Sequence, residues 1–165
     1  MKAFALFVLL FISSASIAEN IKIGYIDVDL VINSLTKYQK DNKLIISNFQ
    51  PEKLELLQLF DHIEKLKIKL VESKDSLTNE DYSNQVEAIV MLESSFEIET
   101  EKWQEKLNQE QANLLKKIEE LINQAIMELA VKEEYQLILY SNAAYVSQEL
   151  NISDKIISEI ENLSK

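Results

Sequence analysis

The sequence predicts a mainly α fold with a small β body. A long antiparallel helical hairpin, a coiled-coil-like arm, is inserted between the strands of a small α+β oligomerisation body. Three observations carry this expectation. Phe49, Leu56, Ile63 and Leu70 recur every seven residues, the spacing of a seam between paired helices. Residues 79–134 contain neither Gly nor Pro, so nothing in them breaks a helix. Strand-like patterns stand near the two ends, at "IKIGYID" (21–27) and "YQLILYS" (135–141).

The chain opens with Lys2, an apolar run from Ala3 to Ile12, and small residues at Ser16 and Ala18. This is the pattern of a secretory signal peptide cleaved near Ala18, and the run is too short to span a bilayer. The expectation is a signal peptide over 1–18 and an exported mature chain without stable membrane insertion. Cysteine is absent, which excludes a disulfide scaffold and an acylated cysteine after the leader.

Residues 21–27 alternate apolar side chains with Lys22 and Gly24, as in a strand. Gly24 is the single glycine of the chain, and a glycine weakens a strand unless something approaches it closely. The expectation is that a neighbouring subunit or the final helix does so. After a short segment with Leu30, Val31 and Leu35, helical periodicity runs from about Thr36 to Ser73, interrupted by Pro51, which should kink or restart the helix. "ESKDSLTNED" (72–81) breaks the pattern, and Thr78 with Asp81 forms a relative of the capping box. A second helix is expected from about Asn79 to Glu134, with Ile89, Phe96, Trp103, Leu107, Leu114, Ile118, Leu121 and Ala125 on its seam.

A short turn between two long helices makes them antiparallel neighbours. Glu93 and Thr100 then fall on seam positions. Residues 135–141 are apolar on both faces and read as a fully buried strand. "AYVS" (144–147) suggests a short third strand, and Ser153 caps a final helix with Asp154 at its positive end. The domain organisation is therefore a discontinuous body of residues 19–35 and 118–165, with the arm at 36–117. So small a body has a marginal core by itself, which predicts an oligomer. The oligomer-body candidates are Ile21, Ile23, Gly24, Tyr25, Ile26, Leu137, Ile138 and Leu139.

The full chain carries a net charge of −11, and residues 78–134 hold five Lys and fourteen acids. Nucleic acid and anionic membrane surfaces are poor partners for such a chain. His62 is the single histidine, and with no Cys a transition-metal site lacks ligands. One glycine cannot build a phosphate loop, and no nucleophile has a plausible base. Asp27 and Asp29 at the strand end read as solvated or capping groups. No enzyme and no cofactor are expected. Phe96 and Trp103 belong to the seam by their spacing. The contact candidates lie beside it: Ile68, Val71, Leu77, Tyr82, Val90, Met91, Leu92 and Ile98. Adjacent apolar residues in such number cannot all face one thin interface.

The order leader, strand, short helix, long helical hairpin, strands, final helix resembles the Skp/OmpH family of periplasmic chaperones over nearly the whole mature chain. The residues that carry the resemblance are Ile23-Gly24-Tyr25-Ile26-Asp27 and "AIMELAVKEEYQLILYSNAAYVSQELNISDKIISEI" (125–160). The family often has Gly before the tyrosine that opens the second strand; Glu134 stands there in this chain. The resemblance implies a jellyfish-like homotrimer whose arms enclose a cavity. It implies an ATP-independent periplasmic holdase that binds unfolded outer-membrane proteins and prevents their aggregation. Well-known members have basic arm tips, whereas "VESKDSLTNEDYSN" (71–84) is acidic, so client holding is expected to be apolar or directed at basic segments. The competing reading is a structural or adaptor coiled-coil protein of the cell envelope without chaperone activity.

Overall fold

The structure, a computed structural model, describes residues 21–140 and 143–163. The leader with its cleavage site and the turn at Ser141-Asn142 lie outside the described residues. Strand β1 (Ile23–Ile26) leads into helix α1 (Val28–Ser34), then α2 (Thr36–Ser73), a 3-10 turn (Lys74–Ser76), α3 (Asn79–Lys132), strand β2 (Leu137–Tyr140) and α4 (Ser153–Leu163). The chain is thus mainly helical, with long helices and a small two-stranded sheet.

Local chemistry explains where the helices begin. Asp27 accepts a hydrogen bond from the Leu30 N–H at 2.9 Å and caps α1. Thr78 accepts from the Asp81 N–H at 3.1 Å and donates its hydroxyl to the Asp81 carboxylate at 2.7 Å, so the cap read from the sequence starts α3. Helix α2 does not restart at Pro51 but runs on through it. Proline removes one hydrogen bond, to the Ser47 carbonyl, but contacts with α3 hold the backbone on both sides. The Trp103 indole N–H donates to the Phe49 carbonyl at 3.2 Å, and Lys106 pairs with Glu52 at 3.2 Å. Further contacts between α2 and α3 join Asn42 to Gln111 at 3.3 Å and Lys67 to Glu93 at 2.6 Å.

Helix α3 ends two residues before the sequence suggests. The Tyr135 N–H donates to the Ala130 carbonyl at 3.0 Å, and Glu134 adopts φ 58°. This is the six-to-one bond of a Schellman cap, whose left-handed position normally takes glycine. The loop that glycine would shape is therefore formed by Glu134, at a conformational cost of about 1 kcal/mol.

The sheet differs from expectation in two respects. First, β1 pairs parallel with β2, placing Gly24 opposite Ile138 and Tyr25 opposite Leu139. On its other edge β1 bonds the segment before α4: the Tyr25 N–H donates to the Leu150 carbonyl at 2.7 Å, and the Ile152 N–H donates to the Tyr25 carbonyl at 2.9 Å. The third extended contact is thus a bridge at Asn151, and residues 144–147 form no strand. Those four residues have alternation, but the second edge of β1 is bonded by the 150–152 segment instead. Second, β2 is not buried within the chain. Leu137, Leu139 and Tyr140 are exposed, and Ile138 alone packs on the core. A strand at the rim of so small a sheet has one covered face, which the doubly apolar sequence could not reveal.

The main core gathers Ile26, Val31, Leu35, Leu114, Ile118, Ile122, Ala125, Leu129, Ile152, Ile156 and Ile160. It draws on β1, α1, the C-terminal third of α3 and α4, so both ends of the chain build it. Each fully buried Ile contributes about 1.5–3 kcal/mol. Gly24 is buried against this core. A Cβ there would stand 2.5 Å from Ile152 Cδ1 and 3.3 Å from Tyr135 Cε1. The element that approaches the glycine is the lead-in to the final helix. A second, smaller cluster, Ile63, Leu70 and Ile89, lies near the turn between α2 and α3.

Candidate functional site

Two surfaces are candidates, one on the long helices and one on the sheet. On the long helices, residues at seam spacing are spent on pairing: Leu56, Ile63, Leu70, Ile89 and Leu114 are buried. Several residues beside the seam are not. Ile68, Val71, Val90, Met91 and Ile98 are exposed, Val71 by 74%. Leu77, Tyr82 and Leu92 are half-buried and pack against the Ile63, Leu70 and Ile89 cluster. The contact candidates therefore divide into five that present apolar surface to solvent and three that pack against the smaller core cluster. At roughly 25 cal/mol per Å², several such side chains covered at once would hold an apolar segment without any single strong contact.

The polar seam positions behave differently from one another. Glu93 receives Lys67 at 2.6 Å, and Lys67 also reaches Glu64 at 2.9 Å. These carboxylates, Glu93 first, hold the Lys67 ammonium above the usual lysine range. Thr100 Oγ1 is, among the described residues, the buried side-chain oxygen without a hydrogen-bond partner. Phe60 lies against Phe96 with ring centroids 5.7 Å apart, and Phe60 is itself half exposed.

On the sheet, the body candidates sort by face. Gly24 and Ile26 are buried, Ile23, Tyr25 and Ile138 are half-buried, and Ile21, Leu137 and Leu139 are exposed. Leu139 and Tyr140 are 50% and 58% exposed on a strand whose outer backbone edge has no strand partner among the described residues.

A third feature went unread in the sequence. Glu133 accepts from Lys155 at 2.6 Å and from Lys22 at 3.2 Å, while the Lys22 ammonium sits 4.2 Å from the Tyr135 ring centroid. Lys155 holds the Glu133 carboxyl below the usual range, helped by Lys22, and Glu133 in turn raises the Lys155 ammonium. This knot ties the start of β1, the end of α3 and α4 together. Its members lie at positions 22, 133, 135 and 155, too far apart for any local signal. Among the described residues no group of His, Asp or Glu is arranged to hold a metal ion, and no helix is long and apolar enough to cross a membrane.

The family model described as outer membrane protein (OmpH-like) matches residues 22–160. The fold is similar to the crystal structure of an OmpH-like protein from Caulobacter crescentus CB15, a candidate outer membrane chaperone. The TM-score is 0.73 at 10% identity, covering 86% of this chain and 85% of that one. No curated protein matches the sequence.

Proposed function

The chain belongs to the OmpH-like outer membrane protein family, and we propose that it is an ATP-independent holdase chaperone, without enzymatic activity, for unfolded outer-membrane proteins. The observation that carries this reading is the exposed apolar set on the long helices, Ile68, Val71, Val90, Met91 and Ile98, which neither the helix seam nor the body core uses. An unfolded β-barrel chain offers alternating apolar side chains that such a surface can cover by many weak contacts.

In this reading α2 and α3 form an antiparallel hairpin arm over residues 36–117. Contacts in which one residue number rises as the other falls, from Asn42 with Gln111 to Lys67 with Glu93, support it. Residues 19–35 and 118–165 form the assembly body, and the uncovered edge and apolar face of β2 support joining to other copies. Assembly into a homotrimer would place three arms around a cavity. The leader over 1–18, cleaved near Ala18, would deliver the chain to the periplasm, where its clients pass.

Light scattering of a denatured β-barrel protein diluted out of urea tests the reading. The mature protein should suppress aggregation at about one trimer per client, without nucleotide. Replacing Val71 and Met91 together with Asp should weaken that suppression while leaving helix content unchanged. A wild-type protein that leaves aggregation untouched would make it a structural coiled-coil protein instead. Mass by light scattering reads the assembly, and a monomer would sink the cavity model.

A further inference from the structure

The long helices are packed in two separate places. The body core reaches Leu35 before α2 and Leu114 on α3, and the smaller cluster begins at Ile63 and Ile89. Between Leu35 and Ile63 the one buried side chain is Leu56, and between Ile89 and Leu114 none is buried. That leaves about 36 Å of α3 without a buried residue. What joins the helices there is mostly polar: Asn42 with Gln111 at 3.3 Å, Glu52 with Lys106 at 3.2 Å, and the Trp103 indole N–H on the Phe49 carbonyl at 3.2 Å. The Glu52–Lys106 pair is solvated on both sides and adds little.

Two defects fall at one level of this span. Pro51 has no N–H, so the Ser47 carbonyl lacks its helical partner. Thr100, three residues before Trp103, keeps a buried hydroxyl oxygen without a partner, which costs free energy whenever the helices close over it. The indole bond lands on Phe49, between Ser47 and Pro51, and so ties the two helices together where each is weakest. The exposed apolar set, Ile68, Val71, Val90, Met91 and Ile98, lies wholly on the other side of this level from the body core. It shares that section with the Ile63, Leu70 and Ile89 cluster.

We infer that the long helices bend at the level of Pro51 and Trp103, and that the indole bond to the Phe49 carbonyl is the latch that holds them straight. The section beyond the latch has its own packed cluster, so it moves as one piece and carries the whole apolar set with it. Opening the latch gives up one hydrogen bond and few buried contacts, and it frees the Thr100 hydroxyl to meet water. Such an opening is local and lies well below global unfolding in free energy. The hinge stands without the holdase reading, which gives it a use: the apolar surface can approach or leave a client without unpacking either cluster.

Amide hydrogen exchange of the mature protein, read by mass spectrometry, tests the hinge. Residues 45–56 and 96–107 should exchange about tenfold faster than 63–70 and 86–93, although the latter lie nearer the turn. Trp103→Phe keeps a ring between the helices and removes the donor. It should quicken the middle stretches about fivefold, the worth of one ordinary hydrogen bond, and leave 63–70 and 118–129 unchanged. Thr100→Val removes the unpaired hydroxyl at similar shape and should slow the middle stretches about fivefold. The chain has no cysteine, so Lys40→Cys with Glu72→Cys places two spin labels about 48 Å apart along a straight α2. Labelled chains are refolded with an excess of unlabelled ones, so that each measured distance lies within one chain. The distance distribution should extend to shorter values in Trp103→Phe and narrow in Thr100→Val. Protection that falls steadily from the body core to the turn would overturn the hinge. So would exchange quickened everywhere by Trp103→Phe, or identical distance distributions in all three proteins. No reading here involves a client, so a protein that bends but leaves aggregation untouched would sink the holdase reading alone.

Discussion

Replacing Gly24 with Ala places a methyl group where Ile152 Cδ1 already stands, 2.5 Å from the new Cβ. Ile152 is 3% exposed, so its Cδ1 has to turn within a packed core to make room. Overpacking of this kind costs about 1–3 kcal/mol, and relief of the glycine entropy penalty returns about 0.5–1 kcal/mol. The net expectation is a loss of about 1.5 kcal/mol, or roughly 3–6 °C in Tm for a chain of this size. The argument makes a sharper claim than a single loss. Ile152→Val removes the Cδ1 atom itself and by itself should cost about 1 kcal/mol. The double variant keeps the relief of the glycine penalty and should therefore cost about 0.3 kcal/mol rather than the additive 2.5 kcal/mol, a coupling of about 2.2 kcal/mol. Equilibrium urea unfolding of all four proteins measures the cycle, with amide exchange over residues 22–27 as the local reading of the body. Additive losses, or a Gly24→Ala protein as stable as wild type, would refute close packing as the reason for glycine.

Other expectations follow from the same contacts. Glu134→Gly should raise stability by about 0.5–1 kcal/mol, because φ 58° is strained for Glu and free for Gly; a thermal melt showing no gain would remove the strain argument. Ser153→Ala should destabilise by about 1–3 kcal/mol, since the buried Ser153 hydroxyl accepts from the Asp27 N–H at 2.9 Å, and urea unfolding reads the loss. The Glu133 carboxyl is lowered from 4.5 in the folded protein. Its contribution is therefore present above that value and fades as pH falls through the lower folded value. Lys155, raised from 10.5, contributes below 10.5 and loses that contribution as pH rises through its higher folded value. A Glu133→Gln protein should lack the acid-side dependence, and identical acid unfolding of the two proteins would exclude the knot as its source. Capture of an acidic client should change little with added salt; capture that weakens steeply would contradict apolar holding.

The elements legible in the sequence are those whose cause is local or periodic. The span Thr36–Ser73 of α2 and the Thr78 cap of α3 follow from heptads, from a run free of glycine and proline, and from one hydroxyl three residues before an acid. Gly24 pointed to a close approach because a strand otherwise rejects glycine. What approaches it was open, since Ile152 stands 128 positions away and no pattern links the two. The illegible features share that origin. Residues 144–147 have strand-like alternation, yet it is Leu150 and Ile152 that bond the second edge of β1. The apolar run at 137–140 fixes a strand and not which face is covered. On the long helices, spacing separates seam from flank, so Val71 and Met91 were readable as spare apolar surface. Leu77, Tyr82 and Leu92 were not readable as tip packing, because that depends on how the turn folds over Ile63, Leu70 and Ile89.

The parallel pairing of Ile23 with Leu137 governs the order in which the molecule can form. The first strand emerges from synthesis early, yet its partners on both edges are among the last residues made. Contacts within and between the long helices are available sooner, and local contacts form faster than distant ones. Once Asn42 has met Gln111, the loop that β1 must close shrinks from a separation of 114 residues to about 45 effective residues. This removes about 0.8 kcal/mol of closure entropy. The long helices thus act as a splint that carries the two chain ends together, and a substitution far out along them can slow the assembly of a body it never touches.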